Sequence, residues 1–275
     1  MRIKLFLLIF ITMFVLSSCE NLNDIGSIDT DYSVFINLTV NQDKQEFYVY
    51  RTLPLDSAIH GYPFGSNDEF FVDNPYIAFI DEKGNTFDSF SLQIRQPIVT
   101  PHGNYYPTDA KYIANIAEFD VKPNCEYRMI IEIDNSLVES TVKTLKKINT
   151  FKIEFGPEEP FEDRTRTLYN LSWENVPQSK YYILKRDHYR MLQSVWDSTH
   201  FVDSIEREDF IFADQTNYSK EFFLSFQYDS LRITLTAFDD NIYKHFFEKN
   251  DQVNVKNAYG YAGSSSVIDT LIRFD

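Results

Sequence analysis

Five histidines, two cysteines and a surplus of carboxylates are the residues of this 275-residue chain that could do chemistry, and their spacing argues against most of it. A zinc site of the His-Glu-x-x-His kind needs two imidazoles one helical turn apart. His60, His102, His188, His200 and His245 never come that close. A serine nucleophile on a strand-to-helix elbow needs Gly-x-Ser-x-Gly. Gly263-Ser264-Ser265-Ser266 lacks the second glycine and reads as a hairpin loop after an aromatic strand. The densest acids, Glu158, Glu159, Glu162 and Asp163, could supply the carboxylate pair of a glycosidase or could simply line a solvated loop. Asp239-Asp240-Asn241 and Asp134-Asn135 offer oxygen ligands to a hard cation such as calcium, without the full spacing of a known loop. No catalytic residue, metal or cofactor is therefore expected, and the chain is read as a non-enzyme.

Binding residues are a better prospect. Aromatic residues make up 16% of the chain, and four of them, Tyr62, Phe64, Tyr105 and Tyr106, fall in two long irregular stretches at 54–75 and 97–109. Loops carry function disproportionately, so these rings, with His102 as a pH-sensitive neighbour, are the candidate ligand-binding set. The alternative is that they pack beneath their own loops. Only 8 glycines are present, which argues against glycine-rich phosphate cradles.

The first nineteen residues decide where such a surface would work. Arg2 and Lys4 precede an uncharged, mostly apolar run of 12 residues, Leu5 to Leu16, and small residues then lead to Cys19. That is the layout of an export signal. A membrane-spanning helix needs roughly 20 apolar residues, so the run is too short to be one. Its ending, Leu16-Ser17-Ser18-Cys19, resembles the bacterial lipobox, which implies cleavage after residue 18 and acylation of the Cys19 thiol. Cys125 is then left without an intramolecular partner and reads as a small buried hydrophobe, a nucleophile or intermolecular disulfide being the alternative. After cleavage 24 basic residues face 41 acidic ones, a net charge of −17. So acidic a surface repels phosphate backbones, which excludes nucleic acid as a partner, and leaves the acyl chains as the membrane attachment.

Residues 19–31 are small, polar and acidic and read as a tether. From Tyr32 onward the alternation is that of strands. Tyr32, Val34, Ile36, Leu38 and Val40 oppose Ser33, Asn37 and Thr39, and a second strand is expected at Glu46 to Leu53. Tyr76 to Ile80, a turn through Gly84, and Thr86 to Ile94 make a hairpin. Tyr127, Met129, Ile131 and Ile133 alternate with Glu126, Arg128 and Glu132, and a turn at Asp134-Asn135-Ser136 returns the chain through Leu137 to Leu145. Lys146-Lys147 is the expected joint. Beyond it come a strand at Thr150 to Phe155, an acidic proline-bearing loop from Gly156 to Arg166, and a clean alternation at Leu231 to Ala237. Phe238 to Phe247 fits a strand end or a short helix equally. The fold class is thus all-β, with two antiparallel β-sandwich domains at 32–147 and 148–275.

Two resemblances sharpen this. Leu168-Tyr169-Asn170-Leu171-Ser172-Trp173, with Pro177 and then Tyr181-Tyr182-Ile183-Leu184, resembles the second and third strands of a fibronectin type III domain, in which a buried Trp meets an inward Tyr across a short turn. The chain from Cys19 onward resembles a Bacteroidota family of envelope lipoproteins catalogued as domain of unknown function 4249. That likeness rests on Ser18-Cys19-Glu20, on Glu126-Tyr127 through Ile133, on Leu231 to Phe238 followed by Tyr243, and on the closing Val253 to Gly263. Lys256-Asn257-Ala258 stands where the family has a glycine. The resemblance implies an outer-membrane anchor, a β-rich fold and the company of TonB-dependent transporters, and it brings no catalytic residues. The expected function is binding or assembly with an outer-membrane partner, from the periplasmic or the surface leaflet. A structural or adhesive part in a surface appendage is the second expectation, and a glycan- or peptide-acting hydrolase the third.

Overall fold

The computed structural model describes residues 32–51, 72, 74–95, 98–99, 105–106, 109–161, 164–193, 200–225 and 228–274. The signal segment 1–18 and the tether 19–31 lie outside them. The fold is an all-β sandwich. In the first half the strands are β1 (Tyr32–Val40), β2 (Lys44–Arg51), β3 (Tyr76–Asp81), β4 (Thr86–Phe87), β5 (Ser91–Arg95), β6 (Ile98–Val99), β7 (Tyr105–Tyr106), β8 (Asp109–Asn115), β9 (Glu126–Ile133) and β10 (Ser136–Lys143). In the second half they are β11 (Lys152–Phe161), β12 (Arg164–Glu174), β13 (Ser179–Gln193), β14 (His200–Phe212), β15 (Asn217–Ser225) and β16 (Ser230–Asp239). The helix α1 (Asp240–Phe247), β17 (Gln252–Val253) and β18 (Tyr259–Arg273) follow.

One sheet spans both halves. Nine strands run in the order β14-β13-β16-β18-β1-β2-β8-β5, with β17 paired to β18. Strand β18 is its hinge: Tyr259 to Ser266 pair in parallel with Ser33 to Val40, while Ser265 to Arg273 pair antiparallel with Ser230 to Phe238. Two smaller sheets, β10-β9-β3-β4 and β11-β12-β15, cover one face of it. The first core packs Val34, Ile36 and Leu38 of β1 and Phe47 of β2 against Phe79, Met129 and Ile131. The second packs Leu184, Leu231, Ile233 and Leu235 against Tyr169, Leu171 and Trp173.

This arrangement changes what the joint at Lys146-Lys147 means. Leu145 and Ile148 on either side of it are buried in the second core, and the Leu145 amide donates to Ser264 Oγ at 2.9 Å. Val255, Ala258 and Ala262 from the end of the chain complete the first core. Residues on both sides of position 147 therefore share one sheet, and burial of the last strand ties the halves together. Gly263-Ser264-Ser265-Ser266 is accordingly not a hairpin loop. It lies inside β18 with all three serines buried, Ser264 and Ser266 on the face of the cores and Ser265 on the other, against Thr39.

Local expectations hold where alternation is strict. Tyr127, Met129, Ile131 and Ile133 are all buried, Ser136 to Lys143 pair back onto them, and Asp134 takes the turn at φ 51. Gly84 turns the β3–β4 hairpin at φ 82, a backbone region glycine enters without strain. The expected strand Thr86 to Ile94 is in fact two, because β4 stays beside β3 whereas β5 crosses to pair with β8 in the large sheet. The acidic stretch after Phe155 also differs from its expected loop: after a bulge, Glu158 to Phe161 pair with Arg164 to Thr167. The Trp173–Tyr182 contact is made, edge to face at 5.7 Å, with Tyr218 stacked on Trp173 at 5.2 Å.

Candidate functional site

The face of the nine-stranded sheet away from the two cores carries the candidate site. Its side chains follow from the register: Phe35 lies between Tyr48 and Tyr261, and Phe238 between Tyr181 and Ser265. Helix α1 lies on this face. Asp239 caps it, with Oδ1 accepting from the Ile242 amide at 3.0 Å, while Asp240 in the first turn and Lys244 and His245 in the last complement the helix dipole. The second Asp239 oxygen accepts from the Ser264 amide at 2.7 Å, which fastens the helix start to β18. Gly263 makes the approach possible, since a Cβ there would stand 2.7 Å from Ile242 Cγ1 and 2.8 Å from Asp239 Oδ1. Burial pushes the Asp239 carboxyl up to about 7, against the pull of the amides that donate to it.

Aromatic rings flank the helix on both sides. On one side Tyr181 stacks between Phe210 and Phe238, each at 4.8 Å, and Phe247 meets both Tyr181 and Phe210. Phe212 and Tyr243 extend the cluster, and Lys180 sits 5.4 Å above the Tyr243 ring. Phe210, Phe212 and Phe247 are 41%, 52% and 47% exposed, so a connected apolar surface is left open to solvent. On the other side Phe35, Tyr261, His245 and Phe246 form a second cluster, continued by Tyr50 and Tyr48. Burial raises the Tyr181 hydroxyl and carries that of Tyr261 up to about 12, so both stay neutral donors.

Away from the helix the same face turns polar. Arg232 grips Asp269 through two nitrogens, Thr234 donates to the same carboxylate at 3.1 Å, and Lys111 pairs with Glu46 at 2.6 Å. The Asp269 carboxyl is held below its ordinary value chiefly by Arg232.

Few of the candidates drawn from the sequence fall on this face. Cys19, Tyr62, Phe64 and His102 lie outside the described residues. Tyr105 and Tyr106 form β7, whose backbone pairs with β6. Glu158 and Glu159 are consecutive exposed strand residues, so their side chains leave on opposite faces and do not converge. The carboxylates considered for calcium are engaged within the protein: Asp134 accepts from Tyr32 and Arg51, Asp239 caps the helix, and Asp240 pairs with Lys244. Among the described residues no group of three His, Cys, Asp or Glu side chains could hold a metal ion. Cys125 is half-buried against the first core. His188 is buried beside Tyr228, and burial lowers its pKa.

The aromatic clusters were missed by reading one face of each strand. Phe210-Ile211-Phe212 and Tyr181-Tyr182 place large apolar side chains on both faces, a signal that the strand is wanted on both. No described helix is long and apolar enough to cross a membrane. No family model matches the chain, and no curated protein sequence matches it.

Proposed function

We propose that this chain is a lipid-anchored protein of the outer membrane that binds a protein partner there, a TonB-dependent transporter being the partner its family resemblance implies. The observation that carries the reading is the cluster of exposed Phe210, Phe212 and Phe247 around the half-buried Tyr243. Connected apolar surface rimmed by charge, here Lys180, Asp240 and Lys244, marks interaction sites more often than it survives on a solitary protein. Interface cores are enriched in aromatic rings for the same reason. The Leu16-Ser17-Ser18-Cys19 ending supports an anchor that would hold this surface near the bilayer. Extraction in mild detergent and pull-down from cells should recover a β-barrel protein in fixed ratio, and joint replacement of Phe210, Phe212 and Phe247 by Ala should lose it. Recovery of the chain alone in both cases would defeat the proposal.

A structural part in a surface appendage is a second reading, favoured by β14. This 13-residue strand is one edge of the nine-stranded sheet and pairs with β13 along its whole length. A long open edge accepts another chain's strand readily. Polymers of the purified chain, with no barrel partner, would favour it.

A further inference from the structure

Beyond partner binding, and at a different place on the same face, we propose that the polar groove across β1, β18 and β16 is a binding site for a neutral saccharide. Its volume is about 640 Å³, large enough for a short sugar chain, and Asn37, Thr39, Thr234, Thr236 and Phe238 line it beside the loop 41–43.

The groove is held in shape by bonds that leave its hydrogen-bonding capacity open. Where the β1–β2 ladder ends at Ile36 and Phe47, the buried Gln45 amide replaces it, accepting from the Thr39 amide at 2.9 Å and donating to the Thr39 carbonyl at 2.8 Å. Asn41, with φ 67, then reaches across to the Val267 carbonyl at 3.0 Å and pins the loop as a wall. Thr39 and Ser265 share a hydroxyl contact at 2.9 Å that closes the deep end.

Charge and polarity then select the ligand. Most ions of the groove are held in pairs: Arg232 holds Asp269, and Glu46 holds Lys111 just outside it, while Asp43 and Lys44 bring one charge of each sign to the loop wall. At the Arg232 end an anionic ligand would have to break the Arg232 pair, and a cation the Asp269 one, at the cost of leaving a charge uncompensated, and the adjacent opposite charges of Asp43 and Lys44 favour neither sign. Three neutral groups are unspent. Asn37, Gln42 and Thr236 make no side-chain hydrogen bond among the described residues, and the Asn37 amide oxygen is enclosed without a donor. Amides and hydroxyls both donate and accept, which is what a polyol presents in return. Phe238, its ring stacked on Tyr181, offers an apolar surface at the helix end for the C–H face of a sugar ring.

The test is calorimetric titration of the purified full chain with maltohexaose, cellohexaose and mannohexaose, each to about 10 mM, and separately with sodium phosphate. At least one hexasaccharide should bind with a Kd on the order of 1 mM, and Asn37→Ala or Thr236→Val should weaken it about tenfold, the loss expected for a hydrogen bond worth a factor of ten. Thr236 is only half-buried, so if Asn37→Ala disturbs folding, as thermal unfolding would reveal, Thr236→Val carries the test alone. Phe212→Ala, in the aromatic cluster, should leave the affinity unchanged. Three outcomes overturn the proposal: no hexasaccharide binds, phosphate binds instead, or saccharide binding survives the groove variants.

Discussion

Along β16 the side chains of Leu231, Ile233, Leu235 and Ala237 point into the second core, whereas Arg232, Thr234, Thr236 and Phe238 point the other way. The same alternation separates the two faces of the whole sheet. The inward face is mostly apolar, with Gln45, Arg186, His188, Ser264 and Ser266 as its buried polar members, because two further sheets remove it from water, and burial of apolar area there stabilises at about 25 cal/mol per Å². The outward face is divided into an aromatic end around α1 and a polar end around Asp269. Neither end is needed to close a core. Composition there is free to serve recognition, and the two faces should therefore answer differently to the same kind of substitution.

The cores closed over the inward face should give the largest response. Phe79 is fully buried and touches Phe47 and Phe119, each with ring centres 5.0 Å away. Phe79→Ala should lower the unfolding free energy by about 3–5 kcal/mol, read by urea denaturation, since the cavity it leaves is walled by other rings. Leu235→Ala should cost about 2–5 kcal/mol on the same grounds. A change below about 1 kcal/mol at either position would mean that the inward face is not the stabilising one, and the contrast would fail.

Much of the two cores can be read from the sequence and little of the outward face. Strict alternation at Tyr127, Met129, Ile131 and Ile133 has one physical solution, a half-buried strand, and that is what forms. The pairing of β18 with both β1 and β16 has no local signature, because sheet neighbours are chosen by long-range packing. The serines at 264, 265 and 266 resemble turn residues by type alone; burial of Ser264 and Ser266 against the cores and of Ser265 against Thr39 on the other face is set by distant residues. The helix is legible in hindsight. Asp239 is a good N-cap and the last turn is basic, but eight residues are too few for periodicity to decide against a strand.

Asp239 stands where the faces meet, and its loss should have an intermediate effect. Asp239→Ala removes the cap and leaves the buried Ser264 amide without an acceptor, a cost of about 2–3 kcal/mol by urea denaturation. Its titration carries a sign. Because burial raises the folded carboxyl from 3.8 to about 7, the folded state binds more protons than the unfolded one between those values. The Asp239 contribution is thus complete below pH 3.8 and is lost as pH rises through about 7, with a slope of at most about 1.4 kcal/mol per pH unit. His188 opposes it, since its lowered pKa makes stability rise with pH up to its unfolded value of 6.5. The difference between wild type and Asp239→Asn isolates the carboxyl: it should shift in favour of Asn as pH rises from about 4 to about 7. A constant difference would show that Asp239 does not titrate there.

Tyr182→Phe tests a smaller term on the inward face. The Tyr182 hydroxyl donates to Asn175 Oδ1 and accepts from the Val176 amide, both at 2.7 Å, locking the turn between β12 and β13. Its removal should cost about 1–2 kcal/mol in the same denaturation, with the Trp173–Tyr218 stack intact in near-ultraviolet dichroism.

The smallest expected effect is also the sharpest for function. Phe212→Ala removes a ring that is half exposed and whose ring contacts among the described residues are with the outward cluster, Phe210 at 5.1 Å and Tyr243 at 6.3 Å. Truncating it exposes little that was hidden and leaves no cavity in either core, so stability should stay within about 0.5 kcal/mol of wild type. If the outward rings serve a partner, the same substitution should cut its retention on pull-down, because aromatic residues at the centre of an interface carry most of its energy. A variant that keeps its stability and loses its partner separates the two faces cleanly. A variant that loses several kcal/mol would place Phe212 among the structural residues and remove the aromatic end from the binding surface.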